Sequence, residues 1–443
     1  MLNIRGLSLS LLAALLTGCS HQVVPLGEVA PQPQACPAGI GPEIRCLGGK
    51  DSAGAYYLIA MPKGWNGHLV LHAHGGPFLG EPTAKRVEED MQRWSIMSRA
   101  GYAWAASSFR QGGVEVRAAA EDTERLRRIF VQYVAAPKLT ILHGQSWGAS
   151  VAAKGAELFS AGKPYDAVLL SNGVLGGGTR SYDFRLDLRV VYQYLCNNHP
   201  RPDERQYPLW QGLPEGSTMT AAELSQRSKE CLGLGLRAAE RSAEQASKLK
   251  TIVDVIRIPE SNVQGHLNWA TFHFQDISSK RTMGGNVFSN IGVIYRGSAD
   301  DQALNAKVFR YAADSAAVKR FGADTDPNGR IPVPVLTVHG IDDPIGFVEL
   351  ESVWAETMAG AGRAEGLVQT FTGDNNHSYL SDATYVSLMD ALNVWVLDGR
   401  KPTPASIAEG CRAAQAKFPS DCRFKHDYKP PTLESRVPPR RPG

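Results

Sequence analysis

Apolar residues along this chain gather in short runs separated by longer amphipathic stretches. Residues 55–61, 68–73, 102–107, 139–143, 165–171, 333–339 and 367–371 are runs of the first kind, bounded by Gly, Pro, Asp or His. Their length and β-branched or aromatic content predict strands. Residues 115–135, 149–161, 346–359 and 381–397 have helical spacing or Ala-rich composition and predict helices. Strands that alternate with helices imply an α/β fold, a mostly parallel sheet with helices on both faces. The alternation stops between about 175 and 330, where the pattern is largely helical, so this segment reads as an insertion between two strands. Within it, Thr220-Ala221-Ala222-Glu223 has the form of a capping box opening a helix. Ligands of such sheets bind at the carboxyl ends of the strands, and the chain's chemically distinctive strings fall there.

The strongest of these is Gly144-Gln145-Ser146-Trp147-Gly148. It fits G-x-S-x-G between a predicted strand and a predicted helix, a sharp turn that lifts the serine above the sheet. A serine hydroxyl is a poor nucleophile without a base, and the base needs an orienting carboxylate. Both follow later in the chain. Asp342 and Asp343 come after the strand ending at His339, and His377 follows the strand ending at Phe371. His377 is the one histidine between the last strand and the last long helix. His143 and His339 end strands and read as structural, and His72 with His74 lacks the acidic or histidine partners of a metal site. The negative charge of an acyl-transfer intermediate needs two amide donors. One is expected from Trp147, next to the nucleophile. The other is expected from the turn His74-Gly75-Gly76-Pro77, where proline has no N–H and Gly76 lets a backbone amide approach closely. Trp269, Phe272 and Phe274 read as core of the insertion, with the lining of an acyl or aromatic pocket as the alternative.

From about residue 55 to 398 the chain resembles the α/β-hydrolase superfamily. The resemblance rests on His74-Gly75-Gly76-Pro77, Gly144-Gln145-Ser146-Trp147-Gly148, His339-Gly340-Ile341-Asp342-Asp343-Pro344 and His377. It implies an α/β-hydrolase fold, with residues 38–174 and 331–400 as core and 175–330 as a cap. It places the acid at the fifth position of the H-G-x-x-D string, Asp343, with Asp342 as runner-up. The implied activity is hydrolysis of a small or oligomeric carboxylic ester by Ser146, His377 and Asp343, with no metal or organic cofactor. The His-Gly-Gly-Pro string also resembles prolyl aminopeptidases. A peptidase is therefore the alternative, needing an acidic amine-binding group such as Glu223, Asp254 or Glu260 in the cap. A non-catalytic lipoprotein on the same scaffold is a further one.

Composition changes the picture in two places. Lys and Arg number 47 against 44 Asp and Glu, a formal charge of +3, which gives no footprint for nucleic acid. At the N-terminus, one basic residue precedes an eleven-residue apolar run over 6–16, the shape of an export signal and too short to span a membrane. Leu16-Thr17-Gly18-Cys19 resembles a bacterial lipobox. It implies a signal peptide over 1–18, lipidation of Cys19, and anchoring of the exported protein to the outer membrane of a Gram-negative bacterium. Residues 19–37, rich in proline, read as a tether, and 401–443 as a C-terminal extension whose Arg436, Arg440 and Arg441 are solvated. Without Cys19 six cysteines remain, an even number in an oxidising compartment. Fifteen pairings are open; the one that closes the shortest loops is Cys36–Cys46, Cys196–Cys231 and Cys411–Cys422.

Overall fold

The computed structural model describes residues 27–440; the signal peptide, Cys19 and Arg441 lie outside them. Nine strands form one sheet: β1 (Gln32–Gln34), β2 (Ile44–Lys50), β3 (Tyr56–Pro62), β4 (His68–Ala73), β5 (Ala103–Ser107), β6 (Leu139–Gln145), β7 (Ala167–Ser171), β8 (Val335–Gly340) and β9 (Leu367–Thr372). Their order is β1-β2-β3-β5-β4-β6-β7-β8-β9. The strands from β5 to β9 in that order pair in parallel, and β1, β2 and β3 add an antiparallel edge. Residues 32–34, in the stretch read as tether, are thus part of the sheet. This is the mostly parallel form that the resemblance to α/β-hydrolases implies.

Period-two alternation divides the strand side chains between two cores. Val70, Trp104, Ile141, Leu169 and Val338 pack on one face with helices α1 (Ala84–Arg93), α9 (Asp382–Asp398) and α10 (Pro404–Ala414). Leu69, Leu71, Leu142, Val168 and Val335 pack on the other with α2 (Val116–Tyr133), α3 (Trp147–Leu158) and α8 (Leu350–Gly360). With both faces covered, β6 is buried along its whole length, which is why its sequence reads as apolar rather than alternating.

The segment between β7 and β8 is helical and has its own core. Its main elements are α4 (Asp183–Cys196), α5 (Ala221–Leu232), α6 (Ala243–Ile256) and α7 (Glu260–Asn268), and α7 runs on into a π-helical turn at Trp269–His273. Val190, Leu224, Ile252, Val263, Phe274 and Phe288 fill the core together with Leu433 and Val437 from the C-terminal extension. Thr220 caps α5 by accepting from the Glu223 amide at 3.1 Å. The Glu223 side chain turns to Arg227 instead, at 2.6 Å, so only half of the expected box forms.

The extension departs from its sequence reading. Arg436 donates to Glu349 at 2.8 Å, and Arg440 donates to Asp187 at 2.6 Å beside Asp183 at 3.3 Å. Both arginines are tied down by acidic groups on the core and on α4. The three disulfides are Cys36–Cys46, Cys196–Cys231 and Cys411–Cys422, the short-loop pairing, and they fit an exported protein. No helix among the described residues is long and apolar enough to cross a membrane.

Candidate active site

Three loops at the carboxyl ends of β6, β8 and β9 converge on Ser146. The residue has φ 58° and ψ −123°, a conformation costly for a side chain with a Cβ and typical of strained functional turns. The residues two positions to either side must be glycine. A Cβ on Gly144 would lie 2.2 Å from the Gly148 carbonyl, and one on Gly148 would lie 2.1 Å from the Ala73 carbonyl. The turn therefore packs against the end of β4 with no room for a methyl group.

His377 Nε2 lies 2.6 Å from Ser146 Oγ, and His377 Nδ1 lies 2.7 Å from Asp343 Oδ2. The other Asp343 oxygen accepts from the Ile345 and Gly346 amides at 2.8 and 3.1 Å. Asp343 is buried and Asp342 exposed, so of the two adjacent acids it is Asp343 that reaches the imidazole. Burial alone would push the Asp343 carboxyl up. The electrostatic interaction with His377, with hydrogen bonds from His339 and His377, outweighs that and holds it well below the usual carboxylate range. As Asp343 stays a carboxylate, it accepts from His377 Nδ1–H, leaving Nε2 free to accept the serine proton.

Several contributors carry no sequence signal of their own. Gln145 and Asn172 each donate to the His377 carbonyl at 2.8 Å, and Asn172 Oδ1 accepts from the Gly340 amide at 2.9 Å. Asn172, just after β7 with φ 44°, thus ties the β8 and β9 loops together. His339 lies behind Asp343, with Nδ1 3.2 Å from Glu351 and Nε2 2.8 Å from the Gly346 carbonyl. Both ring nitrogens face acceptors. Burial opposes a charge there, but Asp343 and Glu351 override it and push the imidazole up to about 10. Glu351 is itself buried and held by Thr337 and Gln369 at 2.8 and 2.6 Å.

The His74-Gly75-Gly76-Pro77 turn lies against the serine. A Cβ on Gly75 would come within 3.0 Å of the Ser146 Cβ, Gly76 has φ +69°, and Arg86 donates to the Gly75 carbonyl at 2.7 Å. The Trp147 amide is the first of α3, so it has no intrahelical acceptor. Gly75, Gly76, Ser146, Trp147 and His377 share a cavity of about 270 Å³ with Arg86, Arg93, Tyr182, Arg185 and Trp269. Trp269 therefore lines the site, whereas Phe274 is core. The insertion reaches two loops of the candidate site directly, as His266 donates to the Pro344 carbonyl at 3.0 Å and His273 to the Pro77 carbonyl at 2.9 Å.

His72 and His74 do not form a pair. His72 contacts His143 on the neighbouring strand at 3.0 Å, and His74 stacks on Phe109. Glu223, Asp254 and Glu260 lie outside the cavity, paired with Arg227, Lys250 and Arg241. Among the described residues no group of three or more His, Cys, Asp or Glu side chains could hold a metal ion.

No family model matches the chain, and no curated protein matches it. Among solved structures it is similar to feruloyl esterase B from Aspergillus oryzae, at 13% identity and a TM-score of 0.41 over 81% of this chain and 82% of that one. It is also similar to the rice cell wall degrading esterase LipA from Xanthomonas oryzae, at 12% identity and a TM-score of 0.40 over 84% and 99%.

Proposed function

We propose that the protein is a serine hydrolase that cleaves a carboxylic ester through an acyl-enzyme. The carrying observation is the unbroken line from Ser146 Oγ through His377 to Asp343, at 2.6 and 2.7 Å, with the serine on a strained turn. Ser146 Oγ attacks the ester carbonyl as His377 Nε2 takes its proton. Asp343 holds the ring and stabilises the imidazolium. The oxyanion is held by the amides of Gly76 and Trp147, the latter at the positive end of α3. Collapse expels the alcohol, which receives its proton from His377. Water, deprotonated by the same ring, then attacks the acyl carbon and releases the acid and free Ser146. The overall change is ester plus water to acid plus alcohol.

Residues 175–330 act as a cap that shapes the substrate cavity, and the latches from His266 and His273 to the Pro344 and Pro77 carbonyls support this role. An ester fits better than the N-terminus of a peptide, because the cavity around Ser146 is lined by arginines and by no carboxylate that could bind an amine. Residues 1–19 support export and lipidation of Cys19, with the folded domain tethered to the outer membrane.

A fluorophosphonate probe followed by peptide mapping tests the nucleophile: label on Ser146, absent in Ser146→Ala, is expected. Unlabelled folded protein would favour a non-catalytic scaffold. A panel of p-nitrophenyl esters against aminoacyl p-nitroanilides separates esterase from peptidase, with turnover of the esters expected.

A further inference from the structure

Arg185 is a cation without a counter-charge. It lies on α4 and is 5% exposed. Its guanidinium sits over the rings of Tyr182, Phe184 and Trp269 at 5.3, 4.6 and 4.4 Å. Among the described residues it makes no ion pair and no side-chain hydrogen bond, and its buried Nε has no partner. Burial pulls its pKa down only to about 10, so it is charged at neutral pH. A buried, unpaired charge is costly. Of the other two buried arginines, Arg227 avoids that cost by binding Glu204 and Glu223. Arg189, one turn along α4, makes no ion pair among the described residues either, but it donates to the His199 carbonyl at 3.2 Å and does not line the cavity.

Arg185 does line it, with Ser146, Trp147 and His377. Arg86 and Arg93 line the same space and share a single acid, Asp90, at 3.3 and 3.9 Å. The cavity beside the nucleophile thus carries three guanidiniums and no lining carboxylate. The aromatic rings fix the plane of Arg185 while leaving its N–H groups unfilled, and a planar fork of this kind suits bidentate binding of a carboxylate.

We propose that Arg185 is the anchor for a carboxylate carried by the substrate, so that the preferred substrates are short esters bearing a free acid a few bonds from the scissile carbonyl. The inference rests on the ester-hydrolase reading and narrows its substrate class. The cavity of about 270 Å³ limits the distance between the two groups. Binding the anion gives the guanidinium its missing partner.

Two matched pairs of esters test it. p-Nitrophenyl hemiglutarate against its methyl ester puts the charge on the acyl side, and 4-carboxyphenyl butyrate against 4-(methoxycarbonyl)phenyl butyrate puts it on the alcohol side. After subtraction of uncatalysed rates, the free acid is expected to have at least about a 10-fold higher kcat/KM in one pair. Arg185→Gln should bring that ratio to about 1 whatever it does to the absolute rates, and Arg185→Lys should keep part of it. Equal rates within both pairs, or a preference that survives Arg185→Gln, would overturn the proposal. A binding arm separates it from the hydrolase reading. Millimolar glutarate should raise the thermal midpoint of both wild type and Ser146→Ala, and less so that of Arg185→Lys. No turnover of any of the four esters by folded protein would instead count against the hydrolase reading, and no upshift by glutarate would sink the anion site.

Discussion

At the scale of single residues, the site depends on one buried acid chosen from two neighbours. Asp343 accepts from His377 while Asp342 is exposed. In Asp343→Asn the side-chain amide can donate where the carboxylate accepted, which favours the wrong tautomer of His377, so kcat on a p-nitrophenyl ester should fall by about 10³- to 10⁴-fold. Asp342→Asn should stay within a few-fold. The reverse result would move the acid to Asp342. Ser146, Asp343 and His377 were legible in the sequence because each sits in a short string tied to a strand end. Asn172, Arg185 and the His339–Glu351 pair were not, because their roles come from which loops meet. The last of these has its own pH signature. His339 has a native pKa of about 10 against an ordinary 6.5, so the folded protein holds an extra proton between those values. Its contribution to stability is complete below about pH 6.5 and is lost as pH rises through about 10. Urea midpoints of wild type and His339→Gln from pH 6 to 10 should therefore differ most at the acid end and converge at the alkaline end. A gap that widens with pH would mean that the imidazole is neutral in the native state.

At the scale of elements, the strand–turn–helix unit of β6 and α3 shows how steric exclusion positions the Ser146 side chain. A methyl group at Gly148 would meet the Ala73 and His74 carbonyls at 2.1 and 2.5 Å, and backbone cannot rotate away as a side chain can. Gly148→Ala should cost about 1–3 kcal/mol of stability and also lower turnover by re-aiming Ser146. Gly155→Ala in the same helix is the matched control, since its Cβ would sit 3.5 Å from Leu142 in ordinary contact. It should be neutral or stabilising by up to about 1 kcal/mol. Chemical denaturation of both variants checks the contrast, and equal effects would mean that the turn has slack. The buried strands could be read from sequence as short apolar runs, and α2, α3, α8 and α9 from helical spacing or Ala-rich composition, whereas α1 and α10 were not read. Strand β2 could not be read, because Gly48 and Gly49 interrupt its apolar residues. The room they leave is taken by the side chains of Gln34 and Tyr57, a match that exists only once the sheet has formed. In the insertion only the cap at Thr220 was read, although Ser242 and Gln245 form a complete capping box at the start of α6.

At the scale of the whole molecule, the insertion is held to the sheet from both ends of the chain order. Asp324, near the insertion's end, accepts from the Val116 and Arg117 amides at the start of α2, both at 3.0 Å. The C-terminal extension returns across the opposite side, with Arg436 on Glu349 of the core and Arg440 on Asp183 and Asp187 of α4. The proline-rich composition of this extension suggested a loose, solvated segment, because nothing local records the buried carboxylates it meets. Those carboxylates make its contribution measurable. Burial pushes Asp183 up to about 7 even with Arg440 beside it, so removing the arginine raises it further. The unfolded chain ionises this group near 3.8. A native pKa above that value means stability falls as pH rises between the two, and without Arg440 the fall extends to higher pH. Arg440→Ala should therefore lose about 3–5 kcal/mol at pH 8, as expected when one partner of a buried ion pair is removed, and less at pH 5, where Asp183 is mostly protonated in the fold. Denaturant midpoints at the two pH values read this directly. A loss independent of pH would mean that Arg440 acts through packing, with the charge on α4 carried by some other group.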